Sequence, residues 1–313
     1  MRILLSTNVF LWHFFAILLK AELIPHEYFI LTRIFKGEES VFIFFIISGF
    51  LFGYIHKNIV WRNFVISRFR RLAPMYYVAV IAGIIATLTF QTSINGYFSL
   101  SDVILYYLLF MPQFAKYFHP EVLGYLDVLW SIGVEMMFYA IVPFIDRLNI
   151  KSLLFVSVLF SCAVPFLGFH SWKGYLDFMV IGYSIGRFRR SFYYYGCEKL
   201  SFFSMSVFLL FLLSPFGGLY FTYLLIILFS LFLLLMPLKT SEYKMQIWSI
   251  LAQNSYSFYI FHMFYIYGLL FFVPYLERDL GFFPIVILCL VGYLIINLVS
   301  FNIERLVKNV FSY

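Results

Sequence analysis

Along most of this 313-residue chain the apolar positions do not alternate with polar ones but run on without a break. Continuous stretches of about 15 to 22 residues, parted by short polar segments, have the length of membrane-spanning helices, whereas barrel strands alternate over about ten. The pattern predicts an all-α, polytopic membrane helix bundle with ten spans. They lie near 3–19, 40–56, 74–91, 128–145, 152–169, 174–187, 201–217, 219–237, 252–273 and 281–301. Pro74 is expected to open the third of these. The stretch 101–115 (SDVILYYLLFMPQFA) is short and interrupted by Pro112, and reads as interfacial or re-entrant rather than as an eleventh span.

Composition supports lipid as the solvent. Hydrophobic residues make up 63% of the chain and charged ones 12%, with a mean hydropathy of +0.92. Soluble domains average roughly half apolar and a quarter charged, so this chain cannot cover its surface with polar groups. With the N-terminus inside, 16 of the 22 Lys and Arg residues fall on cytoplasmic segments, and both termini are expected in the cytoplasm. An extra span at 101–115 would reverse everything after it and spoil that count. The net charge of +7 therefore reads as a match to anionic lipid headgroups on inner loops. No soluble basic patch interleaved with aromatics points to nucleic acid.

Cys162, Cys197 and Cys289 are scattered, with no paired spacing for a metal or a disulfide. The first span lacks a small-residue cleavage site and reads as an uncleaved signal anchor. No repeat or low-complexity linker interrupts the chain. A single membrane domain over residues 1–313, with no appended soluble domain, is the expected organisation.

Against that apolar background a few ionisable residues stand out. Glu135 sits in the middle of DVLWSIGVEMMFYAIVPF, where a carboxyl costs a few kcal/mol to insert, and Ser131 lies one helical turn before it. Taken alone, such a glutamate is as often a hydrogen-bonding link between helices as a functional acid. His13 in the first span and His262 in the ninth also lie at membrane depth. A lone histidine among aromatics is more often a packing residue, but imidazole is the side chain best suited to moving a proton near neutral pH. Two histidines and a glutamate inside one bundle favour chemistry, with His13 ranked above His262. Before Pro74, Arg68, Arg70 and Arg71 form an R-x-x-R pattern whose guanidinium forks suit phosphate oxygens. Ordinary cytoplasmic charge is the plainer reading of such arginines. Beside a buried proton-transfer centre they point to a phosphorylated donor arriving from the inside. His26, His56, His119 and His170 fall in loops or at span ends, where solvated or structural roles suffice.

These motifs, in this order, resemble the membrane acyltransferase-3 family, whose members O-acylate surface glycans. Arg2 and His13 stand at the spacing of that family's first-span arginine and histidine. SVFIFFIISGF, ending in Ser48, Gly49 and Phe50, is similar to its second-span pattern, and RFRRLAP to its arginine pair before a proline. WSIGVEMMFY matches W-S-x-x-x-E-x-x-F-Y, and SYSFYIFH matches S-Y-S-x-Y-x-x-H. The agreement extends over roughly residues 2 to 304. Ser40, Met136 and Phe264 depart from the family's usual residues.

The resemblance implies an O-acyltransferase of the bacterial cytoplasmic membrane. Its co-substrate would be acyl-CoA, with acetyl-CoA the expected form, and no cofactor or metal would be permanently bound. The acceptor would be a sugar hydroxyl on a cell-surface or lipid-linked polysaccharide. His13 would be the essential histidine, Glu135 its candidate orienting acid, and Arg68, Arg70 and Arg71 would hold the coenzyme phosphates. Arg2, Ser48, Ser131 and His262 are supporting candidates, the two serines as oxyanion donors. A transporter or flippase of a lipid-linked glycan would also bury ionisable residues, but the paired broken helices of that class are not evident. An assembly partner of a polysaccharide polymerase, with no chemistry of its own, is the third reading.

Overall fold

The computed structural model describes residues 2–55, 60–90, 100–114, 124–153, 155, 156, 159, 173–191, 219–235, 242–272 and 281–311, and every regular element among them is helical. In chain order these are α1 (Arg2–Lys20), α2 (Phe29–Ile34), α3 (Gly37–Ile55), α4 (Trp61–Phe90), α5 (Leu100–Leu108) and α6 (Trp130–Ile145). Then come α7 (Lys173–Ser191), α8 (Leu219–Leu235), α9 (Glu242–Phe271) and α10 (Phe282–Phe311). Short 3-10 turns at His26–Tyr28 and Gly124–Leu129 lead into α2 and α6. Five helical stretches among the described residues are long and apolar enough to cross a membrane. They are Arg2–Lys20, His26–Ile55, Trp61–Thr89, Gly124–Ile145 and Phe283–Val307. The span expected at 201–217, and most of that at 152–169, lie outside the described residues. Those near 174–187, 219–237 and 252–273 correspond to α7, α8 and α9.

The chain forms two compact units, one of Met1–Gly37, Arg70–Gly133 and Gln246–Tyr313, the other of Glu38–Phe69 and Val134–Met245. In the first, tyrosine hydroxyls tie helices together through backbone carbonyls. Tyr76 and Tyr77 on α4 donate to the carbonyls of Tyr107 and Leu108 at the end of α5, at 2.8 and 2.9 Å. Both carbonyls lie at the end of α5, which stops after nine residues, and that of Tyr107 also accepts from the Phe110 amide at 3.2 Å. The chain then turns through Phe110, a non-glycine residue at φ 57°, whose ring stacks on Tyr76 at 4.0 Å. A left-handed residue costs about 1–2 kcal/mol, which the stacking and the two hydroxyl bonds offset. At roughly 13 Å, α5 is too short to cross a hydrocarbon core of about 30 Å, in keeping with the expected interfacial or re-entrant piece.

Pro74 corrects one expectation. It does not open a helix but lies inside α4, which begins at Trp61, so Arg68, Arg70 and Arg71 are helical residues and not loop residues. Proline removes one backbone donor and crowds the carbonyl four residues back. That carbonyl is the one of Arg70; the Tyr256 hydroxyl of α9 bonds a different one, the Leu72 carbonyl, at 3.3 Å.

In the second unit, α3 and α7 run in the same sense with their backbones nearly in contact. The sequences GFLFG (49–53) and GYSIG (182–186) both place glycines four apart. A Cβ on Gly49 would overlap the Met179 carbonyl, one on Gly53 the Tyr183 carbonyl, one on Gly182 the Ile46 carbonyl and one on Gly186 the Phe50 carbonyl. Glycine at all four positions lets the helices approach, as small-residue pairs do in membrane bundles. Arg187 on α7 then caps α6: its Nη1 donates to the carbonyls of Asp146 and Leu148 at 2.8 and 3.0 Å, and lies 3.9 Å from the Asp146 carboxylate. Tyr183 donates to the same carboxylate at 2.7 Å. Arg189 is buried and donates to the Leu233 carbonyl of α8. Lys36, in the first unit, is also buried. Arg187 and Arg189, expected as inner-loop charges, thus lie on α7 and bond backbone carbonyls. An arginine fork, with several N–H donors, can satisfy the exposed carbonyls of a helix end.

The paired glycines set a stability test. Gly49→Ala and Gly182→Ala are each expected to destabilise by about 1–3 kcal/mol, because a methyl must displace backbone. Thermal unfolding in detergent measures this. Gly268→Ala is the control and is expected to be neutral or slightly stabilising, since nothing lies within 4 Å of its added Cβ.

Candidate active site

The first unit contains a histidine pair. α1 and α9 meet through Phe10 against Phe258, 5.9 Å apart and edge-on, and through His13 against His262, with ring centroids 5.2 Å apart. His13 Nδ1 lies 2.9 Å from the Val9 carbonyl and 3.3 Å from His262 Nε2. His262 Nδ1 lies 2.6 Å from the Tyr259 carbonyl. A carbonyl can only accept, so each Nδ1 carries a hydrogen. That assignment places the lone pair of His262 on Nε2, facing the Nδ1–H of His13. It also places the lone pair of His13 on Nε2, which makes Nε2 its basic nitrogen. His262 is fully buried, whereas His13 is half-buried with the Trp12 indole edge-on at 4.8 Å. Of the two, His13 is the one a substrate can reach, and His262 stands behind it.

Asn8 and Trp12 help to hold α1 in that position. Asn8 donates to the Lys36 carbonyl at 3.2 Å, and Gly37 packs directly against the Trp12 indole, where a side chain would collide. Arg2 is the first residue of α1 and half-buried, and its carbonyl accepts from Ser6 at 3.2 Å.

Ser131 proves to be a linking residue. Its hydroxyl lies 2.9 Å from the Val128 carbonyl and 3.0 Å from the Tyr259 hydroxyl, which itself reaches Val128 at 3.4 Å. The bond joins α6 to α9 one turn before His262. Its hydroxyl thus has two partners inside the protein. Ser48 is buried on α3, next to Gly49 at the close approach.

Glu135 is half-buried, and the hydroxyl of Tyr139, one turn further along α6, donates to its Oε1. In the same unit Tyr139 packs on Phe52 at 5.0 Å and on Phe64 at 6.0 Å. Those two rings also carry Arg68, whose guanidinium carbon lies 4.9 and 5.3 Å from their centroids. Arg70 and Arg71 are exposed on α4. The three arginines therefore differ in kind: one rests on aromatic faces and two extend into their surroundings. Tyr139 and Tyr259 are matched letters of WSIGVEMMFY and SYSFYIFH, but the sequence assigned neither a role. The signal for the first was present, since a tyrosine four residues after a buried glutamate shares its helix face.

Among the described residues no three His, Cys, Asp or Glu side chains gather where a metal ion could be held. A family model described as an acyltransferase domain (Acyl_transf_3) matches residues 1–301. The chain belongs to the acyltransferase-3 family. No curated protein and no solved structure matches it. Membership makes this an acyltransferase of the membrane, and the histidine pair is its best-built candidate for proton transfer.

The pair has a separable signature. His262→Leu removes the acceptor behind His13 while keeping an apolar volume, and His262→Gln keeps an acceptor. Acyl transfer is expected to fall on the order of a hundredfold in the first variant and clearly less in the second, a range general acid–base contributions cover. Equal losses in both would show that His262 serves only packing.

Proposed function

We propose that this acyltransferase moves an acyl group, acetyl in the simplest case, from cytoplasmic acyl-CoA to a sugar hydroxyl of a cell-surface or lipid-linked polysaccharide. In this reading it is a ten-span protein of the bacterial cytoplasmic membrane with both termini inside. The family supports acyl transfer. The observation that carries the mechanism is the His13–His262 hydrogen bond, with both Nδ1 positions assigned by backbone carbonyls.

A sugar hydroxyl is a weak nucleophile near neutral pH and needs a base. His13 Nε2 takes its proton as the oxygen attacks the thioester carbonyl. The carbon–sulfur bond then breaks, the ester carbon–oxygen bond remains, and the proton passes from His13 to the departing coenzyme thiolate. While His13 is a cation, its Nδ1–H bonds to His262 Nε2 and the Val9 carbonyl hold its charge and orientation. The acid of a catalytic triad does the same for its histidine. Glu135, with Tyr139 donating to one oxygen, is assigned to the reaction as a carboxylate that orients or stabilises charge. Arg68, Arg70 and Arg71 are assigned to the coenzyme phosphates, Arg70 and Arg71 by direct exposure and Arg68 from its aromatic seat. Membrane lipids surround the protein, and neither nucleic acid nor a bound cofactor enters the scheme.

The test uses purified protein in lipid nanodiscs with acyl-CoA and polysaccharide from the source cell, following thiol release and glycan mass. Acceptor-dependent release with an acylated product is expected, and His13→Ala should lower it on the order of a hundredfold or more. Glycan movement across vesicles without acylation would instead support the transporter reading. The arginines have their own test. Arg68→Gln with Arg71→Gln is expected to raise the KM for acyl-CoA and to leave an acyl-pantetheine donor, which lacks the nucleotide, unaffected. Contacts to phosphate of this kind are worth roughly 1.5–3 kcal/mol each. Equal loss with both donors would point to misinsertion of the charged helix.

A further inference from the structure

We infer that Tyr139 is a positioning residue that holds the Glu135 carboxylate for the transfer reaction, with the Phe52–Phe64 ring pair as its support. The inference rests on the assignment of Glu135 to the reaction made above.

The hydrogen bond differs from those of the other tyrosines. Tyr76, Tyr77, Tyr256 and Tyr265 all donate to backbone carbonyls of another helix or segment, which is how a hydroxyl links helices in an apolar setting. Tyr183 reaches a carboxylate, but it does so from α7 to Asp146 at the end of α6. Tyr139 donates to a carboxylate on its own helix, four residues away. Such a bond joins nothing that the helix has not already joined. What it changes is the direction of the carboxylate.

The geometry favours that role. Helical side chains lean toward the N-terminus, so the Tyr139 ring lies back over Glu135. The ring is 3% exposed and set edge-on to Phe52 and Phe64, at interplanar angles of 73° and 89°. Phe52 and Phe64 are themselves edge-on at 5.6 Å. Rings from α3, α4 and α6 thus fix the phenol, which fixes Oε1 and leaves the aim of the second oxygen determined. A half-buried glutamate without this contact samples several rotamers, and a reacting group loses rate when its orientation must be found each time. Arg68 rests on the same two rings, so one wall sets both the carboxylate and an arginine assigned to the donor.

The experiment is a double-mutant cycle with Glu135→Gln and Tyr139→Phe, singly and together, in purified protein. Turnover, KM for acyl-CoA and thermal unfolding are measured for each. Tyr139→Phe is expected to lower kcat on the order of tenfold, the scale of one hydrogen bond to a charged group, with KM and unfolding temperature unchanged. Adding it to Glu135→Gln should cause no further loss. Losses that multiply in the double variant would show Tyr139 acting independently of Glu135 and overturn the inference. Wild-type turnover in Tyr139→Phe alongside a damaged Glu135→Gln would overturn it too. Wild-type turnover in Glu135→Gln would instead remove the assignment of Glu135, and the inference with it. Should Tyr139→Phe fold poorly, Phe52→Leu loosens the support and keeps the hydroxyl. It is expected to reduce kcat in the native background but not in Glu135→Gln, and an equal loss in both backgrounds counts against the inference.

Discussion

A tyrosine hydroxyl in an apolar helix bundle must find a carbonyl or carboxylate within the protein, because hydrocarbon offers nothing to bond. Leaving the group unpaired costs several kcal/mol, more than most single contacts return. The same constraint applies to arginines and serines carried on helices whose remaining surface is apolar. Tyr76 and Tyr77 close the end of α5, Tyr256 serves the Leu72 carbonyl, Arg187 caps α6, and Ser131 joins α6 to α9 through Tyr259. Each of these bonds links two segments, so polar satisfaction and helix placement are one event.

The histidine pair follows from that rule applied to a titratable ring. Backbone carbonyls of Val9 and Tyr259, left accessible on the inner faces of α1 and α9, settle which nitrogen of each imidazole carries hydrogen. The pairing then sets the lone pair of His262 toward His13 and leaves that of His13 on its Nε2. A carboxylate would do this more strongly, through charge. A neutral imidazole does it without burying a second full charge among apolar side chains, where that charge would be costly. The Arg68–aromatic contact shows the same economy. An arginine in a half-buried position rests on ring faces, where its weakly hydrated guanidinium loses little.

Much of the architecture could be read along the chain. Long apolar runs, the short interrupted piece at 101–115 and the family motifs lie in the order of residues, and α1, α3, α6 and α10 fall where the runs place them. The misplaced start of α4 came from reading Pro74 as a boundary. Proline removes one backbone hydrogen bond and clashes with the carbonyl four residues back, which is why it reads as a boundary in a sequence. In this bundle α4 continues through Pro74. Basic residues at helix ends were likewise countable in the sequence, but whether a guanidinium meets lipid or a helix terminus depends on what lies opposite.

By itself the sequence determined the solvent, the helical class, the family and the few ionisable residues worth examining. These are properties of runs and spacings, and each residue reveals them without knowing its neighbours in space. Tertiary structure decided which residues act on each other. His13 and His262 are 249 positions apart, Ser131 and Tyr259 are 128 apart, and the rings supporting Tyr139 come from helices far from it in the chain. Hydrogen bonds and ring contacts act over a few ångströms and in fixed directions, and a linear order of residues carries neither distance nor direction between helices.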